Sequence, residues 1–351
     1  MKPLSTNDFG PMAKRTKQRR RTLAALCAGA FAPLAAVAQQ PDKVRRIGFL
    51  APRSRSTAAN PDELYDAFVA GMNALGYVEG KNLVIEWRFA EGKFERLPDL
   101  ATELVNLKVE VIVTEGTFAA LVAQQATRAI PIVTAVVADA VASGFAASLG
   151  RPGGNMTGIS NMANEMTLKQ LELLRLLIPK LSSVALLTNP TDQTTVKNPQ
   201  TAARVNALQT AARSLGITVL TASARDLVEF ERGLTTIKKQ RAGAFILAPD
   251  PFFTGNMRQI AALALKHRIA SSYNTPNYAK AGGLMGYGPD GPRGFRRAAT
   301  FVDKILKGAK PGELPFEQPT LFNFVINSKT AKALGLTISE ELQLRADEVI
   351  E

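Results

Sequence analysis

Short runs rich in Val, Ile and Leu alternate with amphipathic stretches along most of the chain, and this alternation limits the fold more than any other feature. Strand and helix patterns that alternate in this way build parallel sheets covered by helices on both faces. The predicted strands are Arg46 to Leu50, Asn82 to Trp87, Val109 to Thr114, Ile132 to Val137 and Val184 to Thr188, followed by Thr218 to Ala222, Ala244 to Ala248, Ile269 to Tyr273 and Leu284 to Tyr287. Between the first two, Pro61 to Leu75 reads as a helix, with Leu64, Phe68, Met72 and Leu75 on one face. Asn60 stands at its cap, Pro61 at the first helical position and Glu63 at the third.

Two glycine-rich runs interrupt the alternation, Gly150-Arg151-Pro152-Gly153-Gly154-Asn155 and Ala281-Gly282-Gly283, and a stretch with Pro311, Pro315 and Pro319 follows. Such breaks mark places where a chain crosses between lobes. The expected organisation is residues 44–158 plus about 281–311 in an N-terminal lobe, and 159–280 plus part of 312–351 in a C-terminal lobe. Each lobe is then an α/β, Rossmann-like unit with a parallel sheet, joined to the other by a hinge. In such sheets the loops at the carboxyl ends of the strands expose helix N-termini and collect ligands. Ala51 to Ser54, Glu115 to Phe118, Ala138-Asp139, Asn189 to Thr191, Pro249 to Phe252, Asn274 to Pro276 and Gly288 to Asp290 occupy those loops. Two such edges facing each other form a cleft that a hinge closes on a small solute.

Composition narrows the function classes. The chain has 43 Lys plus Arg against 30 Asp plus Glu, a single Cys and a single His, which argues against disulfide scaffolds, Cys-ligated zinc and His-rich metal sites. Residues 1–38 hold seven of the basic residues and one acid, leaving 36 basic and 29 acidic residues, or +7, in the remainder. That segment has a basic run from Lys14 to Arg21, an apolar stretch from Leu23 to Val37 and a small-residue Ala36-Val37-Ala38 site, the three parts of a secretory signal. The mature chain is expected to start at Gln39, after Sec export or, given Arg20-Arg21, twin-arginine export to the periplasm. Cys27 leaves with the leader, and the mature protein without cysteine suits an oxidising compartment.

Gly116-Thr117, the run Gly150 to Gly158 and Gly282-Gly283-Leu284-Met285-Gly286-Tyr287-Gly288-Pro289-Asp290 occur in order at fitting positions. With Arg46-Ile47-Gly48-Phe49 near the front and Val325-Ile326-Asn327 and Ala331 to Gly335 near the end, they resemble the ABC transporter substrate-binding protein family that includes the TrpX-like proteins. The resemblance implies a type I periplasmic binding fold whose lobes capture a small solute, such as an amino acid, for an inner-membrane ABC permease. It places Thr117 at a helix start suited to a ligand carboxylate, and Asp139, Asn189 and Asp250 on loops where an acid accepts from an ammonium group. Tyr287, with Tyr273, Phe118 or Phe252, is implied as an apolar wall, and Ser54 and Pro251 complete the expected site. The chain departs from the pattern at Phe118, where Pro is usual after Gly-Thr, at Gly286, where Ser is usual, and at Ala138-Asp139-Ala140, where Gly-Asp-Pro is usual.

Other classes fit the residues less well. Gly76-Tyr77-Val78-Glu79-Gly80-Lys81-Asn82 is too short and ends in Asn where a phosphate loop needs Ser or Thr, and no strand leads into Gly-x-Gly-x-x-Gly. His267 falls near the end of a helix, where a cation complements the dipole, so no catalytic residue, metal ligand or cofactor is expected. Gly291 to Arg297 carries three arginines around one Phe, a weak basis for nucleic-acid binding and a natural first turn of a solvated helix. The expected partners are a small-molecule solute and an ABC permease, with no nucleic acid, and the chain acts as a monomer; an exported binding protein serving a sensor, or an exported α/β enzyme, are the alternatives.

Overall fold

The computed structural model describes residues 44–55, 62–190 and 199–351, with residues 199–201 described by backbone alone. The expected leader, Asn60, Pro61 and Thr191 lie outside the described residues.

Five parallel strands, β1 (Arg45–Ala51), β2 (Leu83–Phe89), β3 (Val111–Glu115), β4 (Ile132–Val137) and β5 (Met156–Ser160), form one sheet in the order β2-β1-β3-β4-β5. Seven strands form the second, β6 (Ser183–Thr188), β7 (Thr218–Ser223), β8 (Ala244–Leu247), β9 (Ala270–Tyr273), β10 (Met285–Pro289), β11 (Phe322–Asn327) and β12 (Glu348–Ile350), in the order β12-β11-β10-β9-β8-β6-β7. Only the β10–β11 pair is antiparallel. The helices are α1 (Glu63–Ala74), α2 (Leu97–Asn106), α3 (Thr117–Ala126), α4 (Ala163–Leu177), α5 (Pro199–Ser214) and α6 (Leu227–Lys239), then α7 (Pro251–Gly255), α8 (Met257–His267), α9 (Asn277–Lys280), α10 (Gly291–Leu306), α11 (Ser328–Leu334) and α12 (Glu340–Arg345).

Each sheet is covered on both faces, as the unbroken apolar runs of buried parallel strands require. On the first, Phe68 and Met72 of α1 and Phe295, Phe301 and Val302 of α10 bury one face, while Leu100 and Leu104 of α2 and Ala119 and Val122 of α3 bury the other. On the second, Leu171 and Leu174 of α4 and Leu208 of α5 cover one face, and Phe230, Leu234 and Ile260 the other. The α/β two-lobe expectation therefore holds, with parallel pairing throughout apart from β10–β11, so that β11 and β12 run against the other strands of the second sheet.

Several local expectations change. Asp62 caps α1, its carboxylate accepting from the Leu64 N–H at 2.9 Å. Leu75 ends that helix 37% exposed, whereas Tyr65 is buried in its place. The stretch 281–311 does not belong to one lobe: β10 pairs with β9 and β11 in the second sheet, and only α10 returns to the first. The chain thus crosses between lobes after β5, after β10 and between Glu317 and β11, where the Ser160 N–H donates to the Glu317 carbonyl at 2.9 Å. Strands β5, β11 and β12 were not expected; Gly158 interrupts the apolar pattern of the first, and the last has only three residues.

The glycine motifs serve packing. Gly158, at φ 136°, lies so close to β4 that a Cβ would stand 2.2 Å from the Thr134 carbonyl oxygen. Gly283 lies against the Tyr278 ring, and Gly286 leaves room for the loop after β9, where a Cβ would stand 2.0 Å from the Thr275 oxygen. Gly286→Ser is therefore expected to overpack this site and cost about 1–3 kcal/mol. A lowered denaturant midpoint checks it, and an unchanged midpoint contradicts it.

Candidate ligand-binding cleft

The carboxyl ends of both sheets open onto one cleft of about 1710 Å³, lined from the first lobe by Arg53, Thr117 and Phe118 and from the second by Asp250, Pro251 and Tyr273, among others. This exceeds the roughly 300–1,000 Å³ of typical small-molecule pockets, so a solute and several waters fit together. α3 starts at the cleft wall after Gly116, whose φ of 86° turns the chain sharply from strand to helix without a side-chain cap. The first N–H groups of a helix have no partner within it and favour negative charge. Beside them the Thr117 hydroxyl accepts from the Ala138 N–H at 3.1 Å, which directs its own hydrogen elsewhere.

A buried charge network lies next to that helix start. Arg53, its side chain 10% exposed, donates through Nε to Glu115 Oε1 at 2.7 Å and through Nη1 to Asp62. The Tyr65 hydroxyl donates to Glu115 Oε2 at 2.6 Å, and the guanidinium carbon sits 4.8 Å from the centre of the Tyr65 ring. Burial opposes the Arg53 charge, but Glu115, Tyr65 and Asp62 outweigh it and hold the proton more firmly than usual. Burial, then the adjacent Glu115 carboxylate, push the Tyr65 hydroxyl well above the ordinary phenol range, so it stays a donor. Behind it Phe49, Trp87, Phe89 and Phe295 pack edge to face or stacked around Tyr65 and one another.

The second lobe answers with the short helix α7. Asp250 caps it, Oδ1 accepting from the Phe252 N–H at 2.8 Å and from Asn189 Nδ2 at 3.2 Å. The fully buried Tyr273 donates to the Asp250 carbonyl at 2.9 Å and meets Thr254 Oγ1 at 2.8 Å; burial raises its hydroxyl above the phenol range. From this anchored position α7 touches the first lobe. A Cβ on Gly116 would stand 3.0 Å from Pro251 Cγ, one on Gly255 would stand 3.4 Å from Arg53 Cδ, and Phe252 packs against apolar clusters of both lobes.

Of the residues expected from sequence, Ser54, Thr117, Phe118, Asp250, Pro251 and Tyr273 line the cleft. Phe118 is largely buried against Phe94, 6.0 Å between ring centres, so it thickens the wall of the first lobe. Asp139, Asn189 and Tyr287 are not among the lining residues. Asp139 closes its own turn by accepting from the Val141 and Ala142 N–H groups, Asn189 supports Asp250, and Tyr287 stacks on Phe322 at 5.8 Å. Arg53, Asp62 and Glu115 were absent from the expected site. The signal available was their charge at strand ends and helix starts of an α/β lobe, which generic solvated loops also show. Arg293, Arg296 and Arg297 also line the cleft, from the first turns of α10, and Arg297 holds the Glu317 carboxylate below its usual range through bonds of 2.7 and 2.6 Å.

Lobes of this topology and a cleft of this kind are those of periplasmic binding proteins of the first type, and residues 59–350 match the family described as ABC transporter substrate binding protein. The chain belongs to that family. It is 23% identical over 275 residues to the tyrosine-binding protein of Clostridioides difficile (strain R20291), spanning 78% of this chain and 77% of the relative. A conserved domain protein of Vibrio cholerae shares its fold with a TM-score of 0.78 at 24% identity, covering 88% of this chain and 100% of the other. The ABC domain of Streptococcus pneumonia in complex with L-Trp superposes with a TM-score of 0.75 at 23% identity, covering 87% and 99%. Members of this family are extracytoplasmic components that bind small-molecule solutes and deliver them to ABC permeases, and the chain is a solute-binding protein of that kind.

Both Glu115 oxygens are engaged and the residue is 2% exposed, so its removal strands the Arg53 charge and the Tyr65 hydroxyl. Breaking a buried pair from one side costs about 3–5 kcal/mol. Glu115→Ala is expected to lose stability of that order in chemical unfolding, and Glu115→Gln, which keeps one acceptor, clearly less; equal losses contradict this account.

Proposed function

We propose that the mature protein works as a periplasmic monomer, whose lobes close on one small amphipathic solute bearing a carboxylate, of the amino-acid class, with no turnover. The observation that carries this reading is the start of α3: an uncapped helix N-terminus and the Thr117 hydroxyl open together into a cleft shared by both lobes. A carboxylate there receives backbone N–H groups and the helix dipole at once. Apolar surface for the rest of the solute comes from Phe252 and Phe295, both at the cleft wall. The relatives that bind tyrosine and L-Trp support an amino acid, and an aromatic one is the first to try. Residues 1–38 supply the export signal, and the permease takes the solute when the lobes part.

A solute that binds only the folded protein raises its melting temperature by mass action. Ligand-stripped mature protein is expected to be stabilised saturably by one class among L-amino acids, aromatic acids, sugars and nucleosides, with calorimetry giving one site per chain. Consumption of a compound during incubation contradicts the absence of turnover. Thr117→Ala is expected to weaken the bound acid about tenfold, the size of one hydrogen bond, while the solute-free protein, which loses the bond from the Ala138 N–H, stays folded with a melting temperature only slightly lowered. In the exporting cell, sequencing of the periplasmic form is expected to start at Gln39; a protein retaining residues 1–38 in the cytoplasm contradicts the export reading.

A further inference from the structure

We propose that Arg53 reads the carboxylate of the solute and makes lobe closure favourable only with an anion in the cleft. The inference rests on the solute-binding reading above and adds a residue and a rule to it. Three nitrogens of the guanidinium have distinct fates here. Nε serves Glu115, Nη1 serves Asp62, and Nη2 is buried with no hydrogen-bond partner among the described residues. A charged donor left buried without an acceptor is costly, more so than a neutral one, and native structures keep such groups for a purpose.

What covers Arg53 is the other lobe. Gly255, the last residue of α7, lies where a Cβ would stand 3.4 Å from Arg53 Cδ, so the opposite lobe packs on the stem of an arginine that lines the cleft. Parted, the donor is hydrated; closed without solute, it loses that water and gains nothing. A carboxylate that has entered supplies the missing acceptor, and closure then costs no hydrogen bond. Glu115, which grips Arg53, stands two residues ahead of Thr117, and all three line the same cleft, so the arginine and the start of α3 border one space. The network also fixes the guanidinium: two of its nitrogens are held by carboxylates and its face lies on the Tyr65 ring, so the third is aimed before the solute arrives. A single lysine nitrogen offers no such division of labour.

The test compares each L-amino acid that stabilises the wild-type protein with its carboxamide, which keeps size and ammonium but loses the negative charge. Calorimetry on the wild type is expected to show the carboxamide weaker by about 30- to 100-fold, as for loss of a charge-assisted pair. Arg53→Lys is expected to keep a folded circular dichroism spectrum, to lose at least about tenfold in affinity for the acid, and to narrow the gap between acid and amide. A carboxamide that binds the wild type as well as the acid overturns the proposal whether or not the Arg53 variants fold. So does a folded Arg53→Lys that keeps the acid affinity and the full gap; both outcomes leave the solute-binding reading intact. If none of the amino acids stabilises the wild type, the amino-acid reading of the cleft fails first and this inference falls with it.

Discussion

Parallel pairing within each sheet is the constraint from which the site follows. When strands run the same way, every strand-to-helix turn emerges at one edge, and every helix after a strand presents its N-terminus there. In this chain the turns after β1, β3 and β8 bring Arg53, Thr117 and Asp250 to that edge from separate parts of the sequence. The edge is polar for a simple reason: backbone N–H groups at helix starts need partners, and water, caps or a ligand are the choices. Asp62, Asp250 and Asp290 cap α1, α7 and α10 with their own carboxylates. α3 has no side-chain cap, and it is the helix start beside the buried arginine.

The two lobes treat their buried polar groups differently. In the second lobe, Asp250, Asn189, Tyr273 and Thr254 are hydrogen-bonded to one another and anchor the start of α7. In the first, Arg53, Glu115, Asp62 and Tyr65 form a set with one donor left over. That contrast, more than the charge of any one residue, separates scaffold from site in this cleft.

The alternation of apolar runs made the two-lobe fold legible, because a buried parallel strand is apolar on both faces and leaves an unmistakable block in the sequence. Met156–Ser160 escaped that reading since Gly158 replaces a side chain with the close approach of β4, a tertiary demand invisible in a local pattern. The lobe boundary near residue 281 was misplaced for a related reason: Ala281-Gly282-Gly283 looks like a linker, yet it is the turn that packs Gly283 on Tyr278 before β10 joins the second sheet. Thr117, Asp250 and Tyr273 were within reach of sequence reasoning as strand-end residues, and Arg53 was not singled out. Its significance lies in Glu115 and Asp62 meeting it across 62 and 9 residues of chain, and pairings between distant strand ends are what folding supplies.

The contacts between the lobes across the cleft show how a closing motion is kept sensitive to its ligand. Among the described residues they include those of one helix of five residues, through the ring of Pro251, the side chain of Phe252 and the backbone of Gly255. A ligand shifts an opening equilibrium only by its difference in affinity for the two states, so an interface strong enough to close by itself would leave the ligand little to add. Small apolar contacts contribute a modest favourable part by removing surface from water, and the uncompensated donor of Arg53 opposes them. A carboxylate that satisfies that donor removes the opposing effect and so favours closure. The same arithmetic explains why the opposing lobe places glycine, with no side chain to hold, over the arginine.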